Sequence, residues 1–145
     1  MKKIIQKQLG ELLVDCRLIS RGQLEEALTI QREKGGLLGQ ILVGLSYTTE
    51  EAIAQSLTAQ YGFPYLPLGS YEIDRDVAKI IPEYVAKQYG LIAVDRVGSI
   101  LTVAMSNPLN TQAIEDVEML THYKVQVFVT TATDVSNSIK SIYKA

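Results

Sequence analysis

The sequence predicts an α+β fold in two parts. An N-terminal helical subdomain over residues 1–62 carries a duplicated 29-residue repeat, and it packs with an α/β subdomain over residues 63–145 built on a three-stranded sheet in β-β-α-β-α order. Three observations predict this. The stretch "LGELLVDCRLISRGQLEEALTIQ" (9–31) recurs without a gap as "LGQILVGLSYTTEEAIAQSLTAQ" (38–60), keeping Leu9/Leu38, Gly10/Gly39, Leu13/Leu42, Leu28/Leu57 and Gln31/Gln60. Its apolar residues fall at helical spacing, and a helical pair buries its apolar stripe against a second copy of itself. After "GFPYLPLGSY" the texture changes to short alternating runs of apolar and polar residues, the period of strands.

In chain order, Ile5, Leu9, Leu12, Leu13 and Cys16 define a short amphipathic helix from Lys3 to about Arg17, weakened by Gly10 inside it. Ser20 followed by Gln23 is a capping-box start, and Leu24, Ala27, Leu28 and Gln31 share one face of the second helix until "KGG" stops it. The second copy repeats this plan with a short helix over 37–45, a start at Thr48 or Thr49, and Ile53, Leu57 and Gln60 on one face. The box Thr48/Glu51 favours one cap and the repeat alignment the other. Gly62 and Pro64 end the helix.

Two proline-bearing turns then lead to short helices near 74–81 and 82–89, the second with Pro82 in its first turn and Gly90 after it. "LIAVDRVGSILTVAMS" reads as two strands around a Gly98-Ser99 hairpin. "NPLN" turns into a helix over 111–120, residues 124–130 alternate as a third strand, and 132–143 form a closing helix with Val135, Ile139 and Ile142 inward. A strand-helix-strand order calls for a parallel crossover with helices against one face of the sheet.

Composition excludes several classes of function. A chain of 145 residues buries roughly two-thirds of its unfolded surface without metal or disulfides. A formal charge of −2 gives no electrostatic basis for binding nucleic acid. No apolar run reaches the ~18 residues of a membrane span, and "MKKIIQKQLGELL" lacks the unbroken apolar core of a signal peptide. With a single cysteine, Cys16, a reducing, cytoplasmic location is expected.

Catalytic chemistry is equally thin. The only Gly-rich spot, "KGGLLG", lacks the lysine and hydroxyl of a phosphate loop, so no nucleotide hydrolysis is expected. His122 is the sole histidine and reads as a solvent-facing turn residue. Glu25/Glu26, Glu50/Glu51 and Glu115/Asp116 are adjacent in sequence, so on a helix they point about 100° apart and read as solvated faces. No metal ligands cluster. What stands out is Gln31 and Gln60, placed on the apolar stripes, where an amide needs partners. Each bonds the backbone of the nearby Leu-Gly stretch or presents polar groups to a ligand.

At these residues the sequence resembles the N-terminal domain of the ATPases that drive type II secretion and type IV pilus assembly, including its cyclic di-GMP-binding branch, the MshEN domain. The family's mark is a doubled motif that begins Arg-Leu-Gly and ends Leu-x-x-x-Leu-x-x-Gln, and the offset of 29 residues is the same here. "YGFPYLPL", "LTVAMSNPLNTQAIEDVEMLT" and "IKSIYKA" also resemble the family. The resemblance implies candidate ligand-binding positions at Gln8, Leu9, Gly10, Gln31, Leu37, Leu38, Gly39 and Gln60. Two departures accompany it. Gln8 and Leu37 stand where the binding branch has Arg, and Arg17 and Ser46 stand where it has an internal Gly.

The function expected from the resemblance is therefore a non-enzymatic docking or regulatory domain. Its partner is a protein of the inner-membrane platform, which places it on the cytoplasmic side of that membrane, and the ATPase motor lies in the same or another chain. No cofactor is expected. The alternative is a cyclic di-GMP receptor with a degenerate motif, in which Lys7 and Arg17 are the nearest cations in sequence to replace the lost arginines. A third reading makes residues 1–13 a membrane-surface helix with its lysines toward anionic lipid.

Overall fold

The computed structural model describes the backbone of residues 2–143 and the side chains of residues 9–143. The first helical pair is α1 (Lys2–Asp15) and α2 (Arg21–Lys34), and the second is α3 (Leu38–Gly44) and α4 (Glu50–Tyr61). The first helix of each pair ends in the same way. In α1 the N–H of Leu18 donates to Leu13 O and that of Arg17 to Val14 O; in α3 Tyr47 donates to Leu42 O and Ser46 to Val43 O. These are paired Schellman closures, and Arg17 (φ 62) and Ser46 (φ 64) take the left-handed position in each. This turn stops α1 two residues before the expected Arg17.

The closure also fixes where the next helix begins. Ser20 lies three residues beyond Arg17 and forms the expected capping box, its Oγ accepting from Gln23 N at 3.1 Å and its N–H donating to Gln23 Oε1 at 2.8 Å. Thr49 lies three beyond Ser46 and accepts from Ala52 N at 3.1 Å. The repeat alignment thus prevails over the Thr48/Glu51 box, because a cap must follow the left-handed turn at constant distance.

After α4 the Gly62 cap turns left-handed at φ 76. Residues 64–66 then run beside the sheet, with Val129 N donating to Pro64 O and Leu66 N to Val129 O, both at 2.9 Å. The prolines flanking this segment read as turns in the sequence, yet Pro64 offers only its carbonyl here and so loses nothing at a sheet edge. A 3-10 turn (Leu68–Ser70), α5 (Arg75–Ala78) and α6 (Glu83–Tyr89) follow. α5 is shorter than expected: after Ala78 the chain tightens into three-residue turns, Ile80 N donating to Val77 O and Ile81 N to Ala78 O, ahead of Pro82. Pro82 serves as the N-cap of α6, with extended backbone at φ −60 and ψ 147, one position before its first turn.

The sheet contains β1 (Leu91–Val97), β2 (Ile100–Met105) and β3 (Lys124–Val129) in the order β1-β2-β3. β1 and β2 are antiparallel, while β2 and β3 are parallel in register from Ile100↔Lys124 to Met105↔Val129. α7 (Thr111–Thr121) makes the crossover and α8 (Ala132–Ile142) closes the fold. Four consecutive buried residues, Leu91 to Val94, mark a strand covered on both faces rather than one. Helices are therefore not confined to a single face of the sheet.

Two apolar clusters fill the interior. One joins α5, α6, the sheet, α7 and α8; the other joins the four N-terminal helices. The second cluster includes Leu109 and Val129, so the helical repeat completes its core with residues from the sheet half. Glu50 in the first turn of α4 ties the same seam. Its carboxylate accepts from Thr133 N at 2.5 Å and from Thr133 Oγ1 at 2.6 Å, at the N-terminal turn of α8, where a negative charge meets the helix dipole favourably.

Candidate functional site

The repeat places Gly10 and Gly39 at equivalent contacts. A Cβ on Gly10 would lie 2.5 Å from Leu24 Cδ1, and one on Gly39 would lie 3.6 Å from Ile53 Cδ1. Leu24 and Ile53 are themselves repeat partners, so both glycines let the two helices of a pair approach. The first contact requires glycine and the second accepts a methyl. Gly10 thus has a packing role.

Gln31 is half-buried, and its Nε2 donates to Gly36 O at 3.0 Å, next to the second Leu-Gly stretch. Gln60 departs from its expected place on a buried stripe: it is exposed. The two copies differ in the path of the chain beyond them. After α2 the chain folds straight back as α3, which brings Gly36 to the amide, whereas after α4 it leaves along β3 and Gln60 stays exposed. Gln8 belongs to α1, but its side chain lies outside the described ones.

Leu9, Leu37, Leu38 and Gly39 do converge. They form one wall of a small cavity of about 30 Å³ between the helical repeat and the sheet half. The opposite wall comes from Ser106, Asn107, Asn110, Thr130 and Thr131, with Glu50 and Tyr89 at its side. Sequence reasoning assigned these no role, although "AMSNPLN" contains three of them. Three of them combine polarity with burial: Asn110, Thr130 and Thr131 are the buried polar residues among those described, while Ser106 and Asn107 are half-buried. Asn110 Oδ1 caps α7 through Ala113 N at 3.2 Å, and Thr131 Oγ1 caps α8 through Asp134 N at 3.2 Å. Thr130 Oγ1 is buried without a partner.

Beside it lies a cleft of about 510 Å³, sharing Leu37, Gln40, Ser106 and Ala132 with the cavity and bordered by Lys87 and Lys140. These two lysines line the cleft together with Leu37; of the cations expected from the sequence, Arg17 is exposed in its turn and the side chain of Lys7 lies outside the described ones. A separate groove of about 390 Å³ runs along α4 past Ala54, Thr58 and Ala59 to Tyr65.

The carboxylates read as solvated faces divide once folded. Asp116 is half-buried and accepts from Gln112 Nε2 at 2.8 Å and from the Tyr89 hydroxyl. Burial, and then this carboxylate, push the Tyr89 phenol up to about 12. His122 is exposed and left-handed at the end of α7, as its turn required. Among the described residues no group of acidic, histidine or cysteine side chains has the makings of a metal site, and no helix is long and apolar enough to cross a membrane.

Comparison with known proteins identifies the class. Residues 61–145 match the MshEN domain, and the chain belongs to that family. It is 34% identical over 136 residues to the type IV pilus assembly ATPase PilB of Myxococcus xanthus, covering 94% of this chain and 24% of that protein. It is 36% identical over 127 residues to PilB of Thermus thermophilus, covering 86% of this chain and 14% of that one. The chain thus spans about a quarter or less of the length of these relatives. A solved structure of MshE with cdg (cyclic di-GMP) superimposes with a TM-score of 0.67 at 28% identity, covering 93% of this chain and 98% of that one. The N-terminal domain of XpsE shares the fold, with a TM-score of 0.71 at 18% identity and 94% coverage of each chain.

Proposed function

We propose that this domain is a non-enzymatic docking and regulatory module of a type IV pilus or type II secretion ATPase. It binds a protein of the inner-membrane platform, through which it is held at the cytoplasmic face of that membrane, and relays that state to an ATPase motor in the same or another chain. The two halves, divided near Gly62, act as docking part and supporting part. The observation that carries this reading is the cavity at the doubled motif. It has about 30 Å³ of room, whereas a site for a drug-sized ligand needs about 300 Å³ or more. Leu37 stands at it where the binding branch places an arginine, and a leucine offers phosphate or guanine no donor.

The second reading, a cyclic di-GMP receptor, is supported by the likeness to MshE with cdg. It requires the cavity to open into the neighbouring cleft, with Lys87 and Lys140 taking over from the arginines replaced by Gln8 and Leu37. Binding of this domain to the cytoplasmic part of the platform protein, measured with and without cyclic di-GMP, separates the two. Docking predicts a complex that the dinucleotide leaves unchanged. A complex that forms only when the dinucleotide is present favours the receptor.

A further inference from the structure

We propose that the small cavity between the Leu38-Gly39 stretch and the 106–110 and 130–131 segments is a water-binding site, holding one internal water bonded to the Thr130 hydroxyl. Thr130 is 2% exposed, and its Oγ1 has no hydrogen-bond partner within the protein. A buried hydroxyl left in that state is strongly disfavoured, so it points to a missing partner. Thr130 itself lines the cavity.

The size of the cavity selects the ligand. A water needs roughly 10–15 Å³ of such space and two to four polar partners, and about 30 Å³ is present. Nucleotides, sugars and metabolites are too large. The wall also supplies further polar partners. Thr131 uses its oxygen to accept from Asp134 N, which leaves its hydroxyl proton to donate. Asn110 uses its Oδ1 on Ala113 N, which leaves its amide protons. A cation is a poor fit. Both oxygens of Glu50, the one carboxylate on the wall, are already engaged by Thr133.

The water therefore sits on the seam where the duplicated motif meets the sheet half, and it completes by hydration a contact that the side chains leave open.

A crystal structure of the domain at a resolution that shows internal waters, combined with magnetic relaxation dispersion to count long-lived waters in solution, tests the site. Expected are density at hydrogen-bond distance from Thr130 Oγ1, one fewer long-lived water in Thr130→Val, and a lower denaturation midpoint for that variant. Thr130→Ser keeps the hydroxyl and is expected to keep the water, which covers the case in which Thr130→Val fails to fold. An empty cavity in the unaltered protein overturns the proposal. So does a higher midpoint for Thr130→Val, the result expected if the methyl merely removes an unpaired hydroxyl. Density that exchanges for rubidium, seen by its anomalous signal, assigns the site to a cation and overturns it as well.

Discussion

At the scale of single residues, the repeat pairs positions whose conformations can be compared within one molecule. Arg17 and Ser46 both hold φ near +60° with the same hydrogen bonds on either side, in a region where an L side chain costs roughly 1–2 kcal/mol. The related binding branch has glycine at this position, and the backbone shows why. Arg17→Gly and Ser46→Gly are each expected to raise stability by about 0.5–1 kcal/mol, after allowing for glycine's larger unfolded entropy. Urea denaturation measures this, and a loss in both variants would contradict the assignment of the turn. Two phenols give a pH test. Burial chiefly, with the Asp116 bond at Tyr89 and the Glu83 charge at Tyr143, holds both up at about 12, against about 10 in an unfolded chain. The folded state therefore binds more protons between these values, so their contribution is intact below pH 10 and is lost as pH rises towards 12. Tyr89→Phe and Tyr143→Phe should flatten that alkaline decline in thermal midpoint, and an unchanged slope in both would count against it.

At the scale of elements, glycine spacing and the seam decide how the helices pair. Gly10→Ala drives a methyl to 2.5 Å from Leu24, which is itself 1% exposed, and overpacking of this kind costs about 1–3 kcal/mol. Gly39→Ala meets only Ile53 at 3.6 Å and should lie within about 0.5 kcal/mol of the parent, helix propensity offsetting the contact. Equal losses for the two would show that the repeats do not pack as described. The Glu50 link to Thr133 makes a second case. Glu50→Ala removes a charged cap from the start of α8 and should cost about 1–2 kcal/mol. A double-mutant cycle with Thr133→Val isolates the hydroxyl part of that link, since the backbone N–H bond is untouched, and additive losses would exclude a coupling through the hydroxyl.

These elements also show what was legible in the sequence. Helical periodicity, the capping box at Ser20 and the Gly98-Ser99 hairpin rest on local chemistry, and each lies where the residues put it. Non-local facts were not readable. Whether Thr48 or Thr49 caps α4 depends on a left-handed turn at Ser46, which serine does not advertise. Gln60 has the sequence context of Gln31 but not its neighbour in space. The edge pairing at 64–66 hides behind prolines that serve equally well in turns. At the candidate site, one wall was legible because it is duplicated; the other comes from the ends of β2 and β3 and is assembled only by the parallel crossover.

At the scale of the whole molecule, the duplicated motif closes one apolar core and meets the sheet half across a small polar cavity. Persistence of the repeat is explained by packing: Leu9, Leu13, Leu24, Leu38, Leu42 and Leu57 are almost completely buried, and they come from both copies. Retention of a dinucleotide site would need more than this, namely that the cavity open into the neighbouring cleft and that Lys87 and Lys140 stand in for the arginines. The central claim, that this domain has kept the scaffold of a cyclic di-GMP site without its function, is tested most directly by calorimetric titration of cyclic di-GMP into the unaltered protein. Two lost bidentate arginine contacts, each worth at least ~1 kcal/mol, predict a Kd weaker than ~10 μM or no detectable heat. Saturable binding at submicromolar Kd would contradict the account and make the cavity and its neighbouring cleft a working receptor site.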